Sequence, residues 1–284
     1  MNLDTEAAAQ VEAQIPINGP AAFEKMRAAG QLAARALDML VPHVEPGVTT
    51  ARLDDLIFEF AMDHGAMPAT LHYKGFRHSS CISINHVVCH GIPGPKRLRD
   101  GDILNIDVTL IVDGWHGDTS RMYTAGTPSR KAERLIDITH QALMVGIAAV
   151  QPGNTTNDIG RAIQDFARSE RCGVVTDFCG HGLGESFHLP PNILHYVPQP
   201  KPGEADHIPT ELKPGMFFTI EPMINLGKPD VKVLRDGWTA VTRDRSLSAQ
   251  FEHTIGVTED GYEVFTFSPG GFEKPPYHGA SPPA

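Results

Sequence analysis

The chain has 284 residues, 41% of them hydrophobic, and a formal net charge of −10 from 24 Lys and Arg against 34 Asp and Glu. That length can bury a large core, as one domain or as two fused halves, and the acidic balance leaves no basic surface on which phosphate contacts could accumulate, so DNA is not an expected partner. The opening MNLDTEAAAQ has neither a basic nor an apolar signal region, the longest apolar-rich stretch (142–150) is too short to cross a bilayer, and Cys81, Cys89, Cys172 and Cys179 form no C-x-x-C pair, so no membrane partner and a cytoplasmic setting are expected.

In chain order, residues 1–20 read as a flexible arm, followed by an amphipathic helix over about 22–40. EPGVTTARLDDLIFEFA, beginning at Glu45, then aligns without gaps to QPGNTTNDIGRAIQDFA, beginning at Gln151. Both share P-G-x-T-T, with a Thr as N-cap, and place apolar residues at helical spacing: Leu53, Ile57 and Phe60 in one, Ile159, Ile163 and Phe166 in the other. The second copy follows a helix over about 131–150, and each copy precedes a strand-rich segment, DGDILNIDVTL in the first half and KPGMFFTIEPMI in the second. Aligning Gly101 with Gly215 superimposes Asp107 on Glu221. This predicts an α+β fold with a pseudo-two-fold axis, pseudo-repeats at about 22–124 and 128–264 within one catalytic domain (21–267), and helices flanking a central antiparallel sheet. The Pro/Gly-rich tail over 268–284 has no periodic pattern and reads as flexible.

Asp113-Gly114 is a two-residue hairpin signal between two strand-like runs. With that loop, Asp118 faces Thr109 and lies diagonal to Asp107, both carboxylates on one face and Leu104, Ile106, Val108 and Leu110 on the other. An Asp near a turn is ordinarily solvated, and Asp113 is read that way. Asp107 sits inside a strand, as do Glu221 in FFTIEPMI and Glu252 in SAQFEHTIGV, where a bare carboxylate is costly without a cation. Four gathered carboxylates repel each other, and two divalent cations would offset this. His181, in C-G-H-G-L-G, has flanking glycines that leave its imidazole unobstructed and completes the set. Oxygen-rich ligation with one nitrogen suits Mn(II), Fe(II) or Co(II) as well as zinc.

Together the motifs C-I-S-I-N-x-V-V-C-H-G-I-P, N-I-D-V-T, H-G-D-T-S, G-H-G-L-G-x-x-F-H, P-G-M-x-F-T-I-E-P and S-L-S-A-Q-F-E-H-T resemble those of type I methionine aminopeptidases, of the pita-bread fold shared with prolidases and creatinases. The resemblance runs from about Glu24 to Val264. It implies Asp107 as a bidentate acidic ligand, Asp118 and Glu252 as a bridging pair, and His181 and Glu221 as the remaining ligands, with the metals near the pseudo-two-fold axis. It also implies His90 and His188 as non-ligand histidines that handle substrate, with Glu221 as general base. Tyr73, Phe76, Cys81, Phe187 and Trp238 are similar to the lining of a methionine pocket, with Thr70 at a position often held by Cys. Carbonyls of Asn85, Val87 and Ser248 would hold a monovalent cation, Na or K. The implied activity is removal of the initiator methionine from peptide or nascent-chain N-termini when the second residue is small, by a monomer with transient ribosome association. Lys74 replaces a frequent His, His86 an acid, and Leu189 and Pro190 stand where acidic residues are common, which affects the pocket mouth and no ligand. An Xaa-Pro aminopeptidase or prolidase-like enzyme, and a metal-free binding module on the same fold, are the alternatives.

Overall fold

The expected hairpin forms between strands Asp102–Val112 and Trp115–Ala125 in the computed structural model, which describes residues 15–199 and 208–277. Asp113 (φ 47°) and Gly114 (φ 84°) make the turn, and both are left-handed as a tight hairpin of right-twisted strands requires. Thr109 pairs with Asp118, as the turn position predicts. Leu104, Ile106, Val108 and Leu110 are fully buried and pack with Leu37, Leu40, Leu53 and Ile57. Those partners come from helices α1 (Pro20–Leu40) and α2 (Thr50–Asp63). The N-cap of α2 is Thr49, whose hydroxyl accepts from Arg52 N at 3.2 Å.

The second half repeats this plan. Helix α3 spans Arg130–Ala148, and α4 spans Thr156–Ser169. Thr155 caps α4 in a reciprocal box with Asp158, whose carboxylate accepts from Thr155 N at 2.8 Å. Strand Phe217–Ile220 pairs antiparallel with His253–Val257, Ile220 opposite His253 as Ile106 is opposite Arg121 in the hairpin. The two P-G-x-T-T loops are anchored alike: Gly47 N donates to Leu98 O at 2.8 Å and Gly153 N to Leu212 O at 3.0 Å. Bridges Thr49–Arg97 and Thr155–Glu211 follow in the same places. The repeat seen in the sequence is therefore a repeat of hydrogen bonding, and the second half has its own core, including Leu135, Leu143, Ile159, Ile163, Phe218 and Ile255.

All strand pairings among the described residues are antiparallel. Among the described residues the strands form four sheets: one built on the hairpin, a five-stranded one that runs Tyr262–Val264, His253–Val257, Phe217–Ile220, Gly180–Gly182, Leu189–Ile193, and two of three strands, one of which pairs Met223–Asn225 with Ser248–Gln250. Glu252 N donates to Ser120 O at 3.0 Å and Ser120 N to Glu252 O at 3.4 Å, and this bridge joins the first two of them. The ladder breaks between Gln250 and His253, where Glu252 turns into the site.

Both ends depart from expectation. Residues 1–14 and 278–284 lie outside the described residues, but Ile15 is buried in the second core and Asn18 N donates to Gly215 O at 2.8 Å, so the arm is docked before residue 20. The tail is not loose over 268–277. Asp38, fully buried on α1, accepts from Arg121 Nη1 at 2.7 Å, Ser268 Oγ at 2.8 Å and Gly270 N at 3.0 Å. Phe272 is buried, and Tyr277 OH donates to Met122 O at 2.7 Å. Proline and glycine deny the segment periodicity without denying it partners, and a buried Asp–Arg pair gives it a place to dock.

Arg121 Nη2 already has no partner, so Asp38→Ala would leave an uncompensated buried cation. It should cost about 3–5 kcal/mol of unfolding free energy, read as a lowered urea midpoint; a shift within about 0.5 kcal/mol would show that the pair does not anchor the tail.

Candidate metal centre

Asp107 and Asp118 project from the same face of the hairpin into a cavity of about 690 Å³. Glu221, just past Phe217–Ile220, Glu252, at the inter-sheet bridge, and His181, on Gly180–Gly182, enter the same cavity. All five expected ligands are thus brought together. Ligand atoms of Asp118, His181 and Glu252 lie within 4.8 Å of one another. His181 Nε2 is 3.6 Å from Asp118 Oδ2 and 3.8 Å from Glu221 Oε1. Asp107 lines the same cavity, and its charge helps to raise Glu221 and Glu252.

The glycines around His181 are required by close approach. A Cβ on Gly180 would come within 2.3 Å of Thr219 O, and one on Gly182 within 2.2 Å of Pro190 O. His181 Nδ1 lies 3.1 Å from Gly182 O, an arrangement in which Nδ1–H donates and Nε2 keeps its lone pair free toward the acids. Burial holds the imidazole down at about 4, so it is neutral and able to ligate.

Without a cation the carboxylates are strained electrostatically. Burial, then the charge of Asp118, raises Asp107 well above the carboxylate range. Burial pushes Asp118 up to about 7 despite the 2.7 Å hydrogen bond donated by Thr109 Oγ1. Glu221 and Glu252 are raised well above their ordinary value by burial and by their acidic neighbours. Thr219 Oγ1 donates to Glu221 Oε1 at 2.9 Å and Gln250 Nε2 to Oε2 at 3.2 Å. Those donors orient the carboxylates and do not cancel their charge. The donor set therefore fits divalent cations: acids raised by burial and, at three of them, by acidic neighbours, with a neutral imidazole aimed at them.

The non-ligand residues expected around the site also line the cavity: Thr70, Tyr73, Phe76, Cys81, Phe187, Trp238, His90 and His188. His188 stacks on Tyr73 at 5.2 Å and lies 4.1 Å from the His181 ring, while Phe76 meets Trp238 edge-on at 5.0 Å. Burial, then His181 and Lys74, lowers His188 to about 3, and burial lowers His90. His90 is held in a left-handed conformation (φ 55°), a strain that persists where surroundings fix a residue. Sequence reasoning missed Phe178, Cys179, Met223 and Gln250 on the cavity wall. It also missed His195, fully buried, whose Nε2 accepts from Glu221 N at 3.1 Å. Gln250 had one available signal, its place two residues before Glu252 on a strand, hence on the same face.

A family model described as metallopeptidase family M24 matches residues 24–259. A methionine aminopeptidase of Rickettsia prowazekii is 56% identical over 256 residues, covering 90% of this chain and 96% of that one. The crystal structure of a methionine aminopeptidase from the same organism superposes with a TM-score of 0.85 at 55% identity, over 89% of this chain and 100% of its own. A prolidase from Pyrococcus furiosus shares the fold alone, at a TM-score of 0.71 and 21% identity, with 67% of its chain covered.

The raised carboxylates set a pH dependence. A group whose folded pKa is raised contributes stability that is full below its unfolded pKa and gone above its folded one; for Asp118 the loss is complete near about 7, and for the other three it ends well above their ordinary range. The buried histidines act below about 6.5, their unfolded value, and are silent above it. The loss runs from the unfolded carboxylate value up to the folded one, so above about pH 6.5, where the histidines fall silent, metal-free protein should still lose melting temperature up to at least about 7 and regain it on addition of Mn(II) or Co(II); a flat metal-free profile from about pH 6.5 to 7 would show that burial does not raise the acids.

Proposed function

The chain belongs to metallopeptidase family M24, and on that premise we propose that it is a methionyl aminopeptidase that removes the initiator methionine from nascent proteins when the second residue is small. The observation that carries this reading is a single cavity combining five potential ligands with an aromatic and sulfur-bearing wall, Tyr73, Phe76, Phe187, Trp238 and Cys81. An apolar, polarisable wall suits a thioether side chain, and the acids beside it suit a free amino terminus. The prolidase-like alternative has the fold in its favour, whereas the relatives of high identity are methionine aminopeptidases.

In this reading Asp107, Asp118, His181, Glu221 and Glu252 hold two divalent ions drawn from Co, Mn, Fe and Zn. Bound there, such ions supply Lewis acidity toward an attacking water and the scissile carbonyl. Glu221 takes the proton of the attacking water; His195 at its backbone and Thr219 and Gln250 at its oxygens hold it in place. His188, neutral and stacked on Tyr73, donates to the oxyanion of the tetrahedral intermediate. His90, between Phe178 at 5.2 Å and Trp238 at 6.3 Å, contacts the substrate amide and assists the leaving amine.

A Na or K ion would use the carbonyls of Asn85, Val87 and Ser248; Asn225 Oδ1 and Ser248 Oγ, on paired residues, are buried without partners and favour such a guest. One chain supplies every ligand, in keeping with a monomer. No helix among the described residues is long and apolar enough to cross a membrane. The four cysteines are unpaired, which accords with a cytoplasmic site of action, and ribosome association would be transient.

Metal-reconstituted protein should cleave Met-Ala-Ser, leave Met-Leu-Ser nearly untouched and ignore Ala-Pro-Ala; turnover of the Xaa-Pro peptide alone would establish the prolidase reading instead. His90→Ala should lower kcat by about 10²–10⁴-fold with metal content retained, measured by steady-state kinetics beside elemental analysis. Loss of metal would make His90 a ligand.

A further inference from the structure

Among the described residues lining the cavity are five carboxylates, Asp107, Asp118, Asp177, Glu221 and Glu252, and one Lys or Arg, Lys74. Lys74 is exposed at the cavity mouth, and its ammonium sits 5.1 Å from the centroid of the Tyr73 ring. No described carboxylate forms an ion pair with it. Its ordinary reading is a solvated surface lysine. Two features speak against that.

The first is conformational. Lys74 (φ 46°) and His72 (φ 69°) are both left-handed within one short turn, which is closed by His72 N donating to Phe76 O at 2.7 Å and Phe76 N donating to Tyr73 O at 2.9 Å. Left-handed non-glycine residues are kept where the surroundings fix them, and here buried Phe76, against Trp238, provides the anchor. The second is position. Tyr73 stacks on His188 at 5.2 Å, and His188 lies 4.1 Å from the ring of His181. The path from the ammonium through the rings of Tyr73 and His188 to that of His181 is thus at most about 14 Å, which an extended peptide, advancing about 3.3–3.6 Å per residue, covers in about four residues or fewer.

We propose that Lys74 reads the charge of the substrate downstream of the cut, favouring an acidic side chain at the third or fourth residue and disfavouring a basic one. This rests on the aminopeptidase reading. In the metal-loaded protein two divalent ions balance Asp107, Asp118, Glu221 and Glu252, which leaves Asp177 and Lys74 as the remaining fixed charges on the lining. Lys74 is the one Lys or Arg on the lining and stands at the mouth, so it attracts an anionic side chain beyond the cut and repels a cationic one.

The test uses metal-loaded full-length chain and C-terminally amidated Met-Ala-Ala-Ala-Ala peptides with Asp or Lys at the third or fourth position, so that a side chain supplies the only carboxylate. Native protein should favour Asp over Lys by about three- to five-fold in kcat/KM, mainly through KM. The ratio should fall toward one at about 0.5 M salt. Lys74→Ala should remove the preference and Lys74→Glu reverse it. An unchanged Asp/Lys ratio in Lys74→Glu, while each protein still cleaves the all-alanine peptide, would overturn the proposal and leave the aminopeptidase reading standing. Native protein that cleaves none of these peptides with any metal would overturn the reading itself.

Discussion

The gathering of Asp107, Asp118, Glu221 and Glu252 at one site is the condition to which the rest of the molecule answers. Burial raises the affinity of all four for protons, the charge of acidic neighbours adds to it at Asp107, Glu221 and Glu252, and the protein supplies hydroxyl and amide donors that aim their oxygens without neutralising them. Rigid, mutually braced strands hold such a group together: Asp107 and Asp118 lie within the hairpin, Glu221 just past a strand end, and Glu252 at the bridge between the sheets. The two ladders meet this need, each with its apolar face packed on a pair of helices.

The duplicated plan also explains which positions carry charge. Asp107 and Glu221 occupy matching places, one residue past Ile106 and Ile220 in equivalent registers. Gln250 faces Met223 where, in the first half, Asp118 faces Thr109. Its amide donates to Glu221 at 3.2 Å. A carboxylate there would add a further negative charge to an already strained site, so the half-to-half symmetry is broken at the position where charge would accumulate. Ser120 and Glu252, matching positions of the two halves, bridge each other through reciprocal backbone bonds. That is how residues beside a two-fold axis behave, and it sets Glu252 at the junction.

Local rules made much of this legible. The Asp-Gly turn fixes the hairpin register, alternation fixes its faces, and an acid inside an apolar strand signals a cation. Legibility failed where the deciding interaction joins distant segments. His195 acts on Glu221 through a backbone amide, leaving no pattern in its own neighbourhood. The segment over 268–277 lacks periodicity because its partners are polar atoms of α1 and the hairpin, with no continuous apolar face to meet. Phe178 and Cys179 sit in a short irregular stretch whose direction only the assembled pocket defines.

The clamp at Asp38 has a consequence for how the molecule is made. Ser268 and Asp38 are separated by 230 positions in the chain, and Arg121, on the strand that carries Asp118, shares the same carboxylate. During synthesis, the strands beneath the catalytic acids must wait for nearly the last residues to leave the ribosome before their reverse side is closed. The reverse face of the strands that carry Asp107 and Asp118 is thus closed by a segment that emerges 230 positions after the Asp that receives it, so the metal site rests on one of the longest-range contacts the chain makes.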